Sequence, residues 1–164
     1  MLGENVDRIF RVLFVCTGNI CRSPAAEGIA RHYIEHGGLA GRVEVDSAGT
    51  YGGHAGEPPD PRMIKAAAQR GYDLTGLRAR ELEVDDFKYF DLILALDHGH
   101  LEEMTKICPL GYGRRIKLLL DFVPGAETDE VPDPYFGGPQ SFEYALDLCE
   151  AGVDALLKEI AQKL

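Results

Sequence analysis

No stretch of this chain is apolar for long enough to span a membrane. Its longest apolar runs are a handful of residues, against the roughly 20 that a bilayer requires. The opening residues, Met1 to Arg8, have no hydrophobic stretch of signal-peptide type, and positions 1–9 read as a short frayed leader. Positive charge is scarce. Seventeen Lys and Arg stand against 27 Asp and Glu, a net charge of −10, which argues against nucleic acid or an anionic membrane as a partner. It also means that an anion must be held by a local arrangement of groups, since the long-range field will not draw it in. Cys and His nowhere fall into zinc-ligand spacing, so neither a metal nor another cofactor is expected. The four cysteines, Cys16, Cys21, Cys108 and Cys149, lack the spacing of a small secreted disulfide scaffold, and a reduced, cytoplasmic setting is expected. There is no internal repeat and no low-complexity linker, and 164 residues at 45% hydrophobic content suit a single globular domain over 1–164.

Strand-like and helix-like segments alternate instead. Strands are expected at Arg11–Val15, Val43–Ser47, Asp91–Leu96 and Ile116–Leu120. Helices are expected from Ser23 as cap to about His36, from Pro61 to Arg70 and from Asp97 to Lys106, with a closing amphipathic helix capped by Ser141. Such alternation implies an α/β fold of three layers, a central four-stranded parallel sheet with helices on both faces. Right-handed crossovers put the first strand in the middle of that sheet, and ligands of such sheets bind at the carboxyl ends of the strands.

Cys16 stands at that end of the first strand. The residues that follow, Thr17-Gly18-Asn19-Ile20-Cys21-Arg22-Ser23-Pro24, form a strand-to-helix turn. Backbone N–H groups of such a loop, with the positive end of the following helix, suit a bound phosphate, and the same field favours a thiolate. Gly18 allows a tight turn and Asn19 tolerates a left-handed conformation. Arg22 offers a planar fork to two phosphate oxygens, and Ser23 can hydrogen-bond the Cys16 sulfur. Asp97-His98-Gly99-His100 has metal-like residue types, but histidines two apart do not share a helix face, and the segment reads as a solvated helix start.

The Cys16–Pro24 run resembles the active-site loop of the low-molecular-weight protein tyrosine phosphatases. The resemblance extends to Asp46-Ser47-Ala48-Gly49-Thr50, Pro59-Asp60-Pro61-Arg62, Phe90–Asp97 and the late Val131-Pro132-Asp133-Pro134-Tyr135-Phe136 segment. It implies a nucleophilic Cys16 that forms a phosphocysteine, with Asp133 as general acid and then general base. It implies that Arg22 and the N–H groups from Thr17 to Ser23 hold phosphate, that Asn19 and Ser47 support the loop, and that Tyr135 and Phe136 wall the substrate ring. Tyr51 and Gly53 lie on the opposite wall by the same likeness. The implied partner is a phosphotyrosine-bearing protein, a bacterial tyrosine kinase among the candidates, with the enzyme itself a monomer or a weak dimer. Cys21 is open to two readings, packing under the loop or a reversible disulfide with Cys16.

The chain also departs from the family pattern. Leu77 stands where members often carry a His bonded into the loop-shaping network, Phe136 replaces a second Tyr, and Gly53 replaces a bulky aromatic. Arsenate reduction on a similar fold needs two further relay cysteines, and none occurs between Cys21 and Cys108. Related arginine phosphatases have Thr where Ile20 stands and Phe where Tyr135 stands, so both positions favour phosphotyrosine. A non-catalytic phosphopeptide reader would be expected to have lost Cys16 or Asp133.

Overall fold

The computed structural model describes residues 8–164. The run Val12-Leu13-Phe14-Val15 is buried on both sides, as a central strand requires. It forms the middle of β1 (Phe10–Cys16), which pairs in parallel with β2 (Val43–Gly49) on one side and β3 (Leu92–Ala95) on the other. The short β4 (Ile116–Leu118) adds to β3, giving the order β2-β1-β3-β4, a four-stranded parallel sheet as expected.

Side chains alternate across β1 and so feed two cores. Val12 and Phe14 pack with Ala25, Ile29, Met63, Leu146 and Val153, from α1 (Arg22–His36), α2 (Pro61–Gln69) and the last helix. Leu13 and Val15 pack with Phe87, Ile93 and Met104 on the opposite face, under α3 (Asp86–Tyr89) and α4 (His98–Ile107). Each large side chain that β1 buries completely contributes about 1.5–3 kcal/mol, so the strand that carries Cys16 is held from both faces. The closing helix, α5 (Pro139–Lys163), packs against α1 behind the sheet.

Several boundaries differ from the sequence expectations. The fourth strand stops at Leu118, and Leu119–Phe122 winds into a 3-10 turn that sends Leu119 and Leu120 into the core. Helix α3 has no counterpart among the expected elements. Ser23 is not the cap of α1. The helix begins at Arg22 with Cys21 at the cap position and no side-chain cap, because the Ser23 hydroxyl is engaged elsewhere. Ser141 is likewise inside α5, which starts at Pro139 after Gly138. The first seven residues of the expected leader lie outside the described residues. At its described end Arg8 Nη2 is 2.7 Å from Asp91 Oδ1.

Candidate active site

The carboxyl end of β1 runs straight into the loop 17–21 and then α1, so Cys16 and Arg22 are set by the strand and the helix while the residues between them arch over. Asn19 is the one non-glycine residue with positive φ (58°) among those described, a conformation that Asn tolerates better than most residues. It is paid for by three hydrogen bonds, two of them buried and the third partly so. Asn19 Nδ2 donates to Ser23 Oγ (2.7 Å) and Ser47 Oγ (2.9 Å), and its Oδ1 accepts from the Arg80 N–H (3.0 Å).

Those bonds fix the polarity of the loop. The Arg80 N–H can only donate, so the Asn19 amide can have only one orientation. Ser23 Oγ must therefore accept from Asn19, which leaves its own proton to be shared between the Cys16 sulfur, 3.0 Å away, and Ala48 O at 3.4 Å. Ser47 accepts in the same way and donates to Glu27 Oε1 (2.6 Å). Glu27 is buried, and burial pushes its carboxyl up. The Ser47 and Arg31 hydrogen bonds oppose that shift, with Arg31 Nε 2.8 Å from Oε2.

Leu77, which departs from the family pattern, packs at the margin of the core. Asn19 is anchored without a histidine there, through the Arg80 backbone three residues on. Gly49 completes the support from below. A Cβ at that position would fall 2.5 Å from Thr17 O and 3.0 Å from Asn19 N, so only glycine lets β2 pass this close under the loop.

Among the described residues, no protein group accepts a hydrogen bond from the backbone N–H of Thr17, Gly18, Asn19, Ile20 or Cys21. Unpaired N–H groups in a row beside an uncapped helix start form a cradle for an anion. Arg22 is buried alongside. Its Nη1 donates to Asp97 Oδ2 (2.8 Å) and to Val131 O (2.9 Å). Its Nη2 lies 3.3 Å from His100 Nε2 and 3.8 Å from Asp133 Oδ2.

A pocket of about 210 Å³ opens over the loop, lined by Cys16, Thr17, Gly18, Ile20, Cys21, Arg22, Tyr51, His54, Asp133 and Tyr135. A larger hollow of about 570 Å³ lies across the sheet edge near Arg31, Glu44 and Tyr89, and it contains no nucleophile. Asp133 is half-exposed, and its Oδ1 accepts from the Tyr135 N–H (3.0 Å), an Asx turn that leaves Oδ2 on the Arg22 side. Tyr135 forms one wall, with the Arg62 guanidinium 5.3 Å from its ring centre.

Phe136 does not line this pocket. It stands 94% exposed, edge-on to Tyr135 at 4.9 Å between ring centres, because the turn after Asp133 takes it out to solvent. On the opposite wall Tyr51 lines the pocket and Gly53 does not. A Cβ at Gly53 would meet the Tyr51 ring, so the aromatic surface there comes from position 51.

Three groups at the site escaped the sequence reading. His54 lies beside Gly18 in the pocket. Glu27 anchors the loop from α1. His100 is buried, not part of a solvated helix start, and only His98 of that pair is exposed, 2.8 Å from Asp129. The Thr17 hydroxyl is 2.9 Å from His100 Nε2. The Asp at position 97, which caps α4 by accepting from the His100 N–H, was the one signal that this turn would be held inward.

The cysteines are all free. Burial pushes the Cys21 and Cys108 thiols up, and that of Cys149 up to about 12.

Burial and the neighbouring Arg22 pull His100 down to about 4, while Asp97 and Asp133 oppose the shift. An unfolded histidine titrates near 6.5. Between about pH 4 and 6.5 the unfolded chain therefore binds a proton that the folded chain does not, and stability rises with pH across that window. We expect the melting temperature to fall as pH is lowered from 6.5 towards 4, and His100→Gln, which cannot titrate, to flatten that fall. Thermal denaturation of both proteins at half-unit pH steps measures it, and parallel curves would refute it.

The chain matches the family model of low molecular weight phosphotyrosine protein phosphatase over residues 11–164. It is 43% identical over 159 residues to the low molecular weight protein-tyrosine-phosphatase of Streptomyces coelicolor, covering 94% of this chain and 96% of that one. Its fold is similar to the crystal structure of a protein tyrosine phosphatase from Entamoeba histolytica with Hepes in the active site, at TM-score 0.90 and 39% identity, covering 94% and 99% of the two chains. It is also similar to the crystal structure of YfkJ from Bacillus subtilis, at TM-score 0.90 and 36% identity, covering 94% and 96%.

Proposed function

Because this chain belongs to the low molecular weight phosphotyrosine protein phosphatases, we propose that it hydrolyses phosphotyrosine in proteins through a phosphocysteine on Cys16. The observation that carries this reading is the convergence of Cys16, the unpaired N–H groups of 17–21, Arg22 and Asp133 on one pocket. The Cys16 thiolate attacks phosphorus as the ester P–O bond breaks, and Asp133 gives its proton to the departing tyrosine oxygen. Asp133, now a carboxylate, takes a proton from water as the water oxygen attacks phosphorus. The S–P bond breaks and returns the thiolate and inorganic phosphate. The loop N–H groups and Arg22 hold the three equatorial oxygens throughout, in a buried setting where such donors act strongly.

Ser23 stabilises the sulfur as it departs in the second step, because Asn19 occupies a lone pair of its hydroxyl and the proton is free to turn from Ala48 O to the sulfur 3.0 Å away. Tyr51 and Tyr135 suit the faces of an aromatic leaving group. The exposed Phe136 is available to the protein around the phosphotyrosine rather than to the ring itself. A tyrosine kinase that carries its own phosphotyrosine is one such partner, and a reducing cytoplasm keeps the four thiols free.

Phosphate release from peptides bearing phosphotyrosine, phosphoserine or phosphoarginine tests the reading. Phosphotyrosine is expected to be the strongly preferred substrate. Turnover confined to phosphoarginine, or equal rates for all three, would overturn it.

A further inference from the structure

The Arg22 guanidinium has five N–H bonds. Asp97 and Val131 take both of those on Nη1, and His100 faces one of those on Nη2. What is left is the Nε–H and one Nη2–H, with only Asp133 Oδ2 near the latter nitrogen at 3.8 Å, and donors on these two neighbouring nitrogens suit the oxygens of one phosphate. The guanidinium plane is thus set by three partners, two of them anchored elsewhere in the fold and the third the side chain of His100.

The tautomer of His100 follows from its surroundings. Arg22 can only donate, so the Nε2 facing it must be a bare acceptor, and the Thr17 hydroxyl proton also turns towards that lone pair. The ring proton is then on Nδ1, 3.1 Å from Asp97 Oδ1 but without the alignment of a hydrogen bond. A protonated ring would set donor against donor at Nε2 and put a second positive charge beside the guanidinium. The charged groups facing this imidazole are Arg22 on α1, Asp97 at the start of its own helix and Asp133 on the loop before α5.

We propose that His100 is a positioning residue for phosphate binding: as a neutral, Nδ1-protonated imidazole its Nε2 ties the Arg22 guanidinium to the Thr17 end of the anion loop, so that the phosphate-binding edge of Arg22 faces the cradle. The role rests on the reading of Arg22 and the loop as the phosphate site. His100 touches neither the substrate nor the reacting atoms. It links α4 to the site, so the helix start read as solvated from sequence becomes part of the anion-binding frame.

Alkylation of Cys16 tests this without depending on turnover. Iodoacetate is drawn in by the anion site and neutral iodoacetamide is not, so the ratio of their rates reports the guanidinium's field, and protection by inorganic phosphate reports its geometry. His100→Leu removes the acceptor, whereas His100→Gln can place a carbonyl oxygen close to Nε2. The expected result for His100→Leu is a loss of about tenfold in the iodoacetate preference and in phosphate protection, the effect of one hydrogen bond to a charged group, with the iodoacetamide rate little changed. His100→Gln should restore both to within about twofold. If His100→Leu fails to fold, His100→Met takes its place in the comparison. A wild-type protein with no iodoacetate preference and no phosphate protection would sink the reading of the site. A wild-type preference that persists in the Leu or Met variant, or one that Gln does not restore, would sink the role of His100 alone.

Discussion

Cys16→Ser is expected to abolish hydrolysis of phosphotyrosine peptides, with a loss of at least about 10⁴-fold in kcat, the scale on which enzymes lose activity when a covalent nucleophile is removed. A serine oxygen in the same place is neither ionised at neutral pH nor as good a leaving group from phosphorus. The rest of the cradle does not depend on sulfur. The N–H groups of 17–21 stay unpaired, Arg22 keeps Asp97 and Val131, and Asn19 keeps its three hydrogen bonds. The variant should therefore bind inorganic phosphate within a few-fold of the wild-type affinity and hold phosphotyrosine peptides without turning them over. Calorimetry with phosphate, beside steady-state hydrolysis, separates the two effects. Residual turnover above about one per cent of wild type would point to a different nucleophile. Loss of phosphate binding would mean that the sulfur is also a structural element of the loop.

Asp133→Asn is the second large effect. Asparagine can still accept from the Tyr135 N–H through its Oδ1, so the Asx turn that positions the residue is preserved and only the transferable proton is lost. General acid catalysis is worth about 10²–10⁴-fold, but only where the leaving group needs the proton. The decisive quantity is kcat/KM, which reports events up to the first irreversible step, measured over phenyl phosphates of graded leaving-group acidity. With phenol or tyrosine as leaving group the variant should fall by about 10²–10⁴-fold. With a strongly electron-withdrawn phenol, which departs readily as the anion, the loss should shrink towards unity. A uniform loss across the series would remove Asp133 from the acid role and leave it a binding residue. The kcat values should fall even for good leaving groups, because hydrolysis of the phosphocysteine still lacks its base.

The parts of this site that were legible in sequence are local. The buried run Val12–Val15, the glycine-bearing turn and Arg22 six residues after Cys16 all lie on one continuous stretch, whose geometry is set by one strand and one helix. Asp133 and Tyr135 lie far along the chain and were reached through resemblance, since an Asp before a proline has no chemical signature of its own. What escaped was the set of groups that tertiary packing alone brings in. His100 meets Arg22 across 78 positions, and Asn19 meets the Arg80 backbone across 61. No periodicity reports such a meeting. The misplaced cap at Ser23 has a related cause. Ser23 has the residue type of a cap, but the competing demand of Asn19 and the Cys16 sulfur claims its hydroxyl. Phe136 shows the limit of transferring a wall residue by position, since one step along an exposed turn separates a residue that lines the pocket from one at 94% exposure.

The stretch 79–82 is fastened on three sides. The Arg80 N–H binds Asn19 in the loop 17–21, Arg80 O and the Leu82 N–H bracket Gly49 at the end of β2, and Ala79 pairs with Gly56 and Glu57 beyond the Tyr51 wall. The loop and its opposite wall therefore share one strap, and neither can open far without releasing the amides of the other. In hydrogen–deuterium exchange these amides should behave as a single cooperative unit. Phosphate bound over Cys16 would slow exchange at Ala79, Arg80 and Leu82 together, although none of the three lines the pocket.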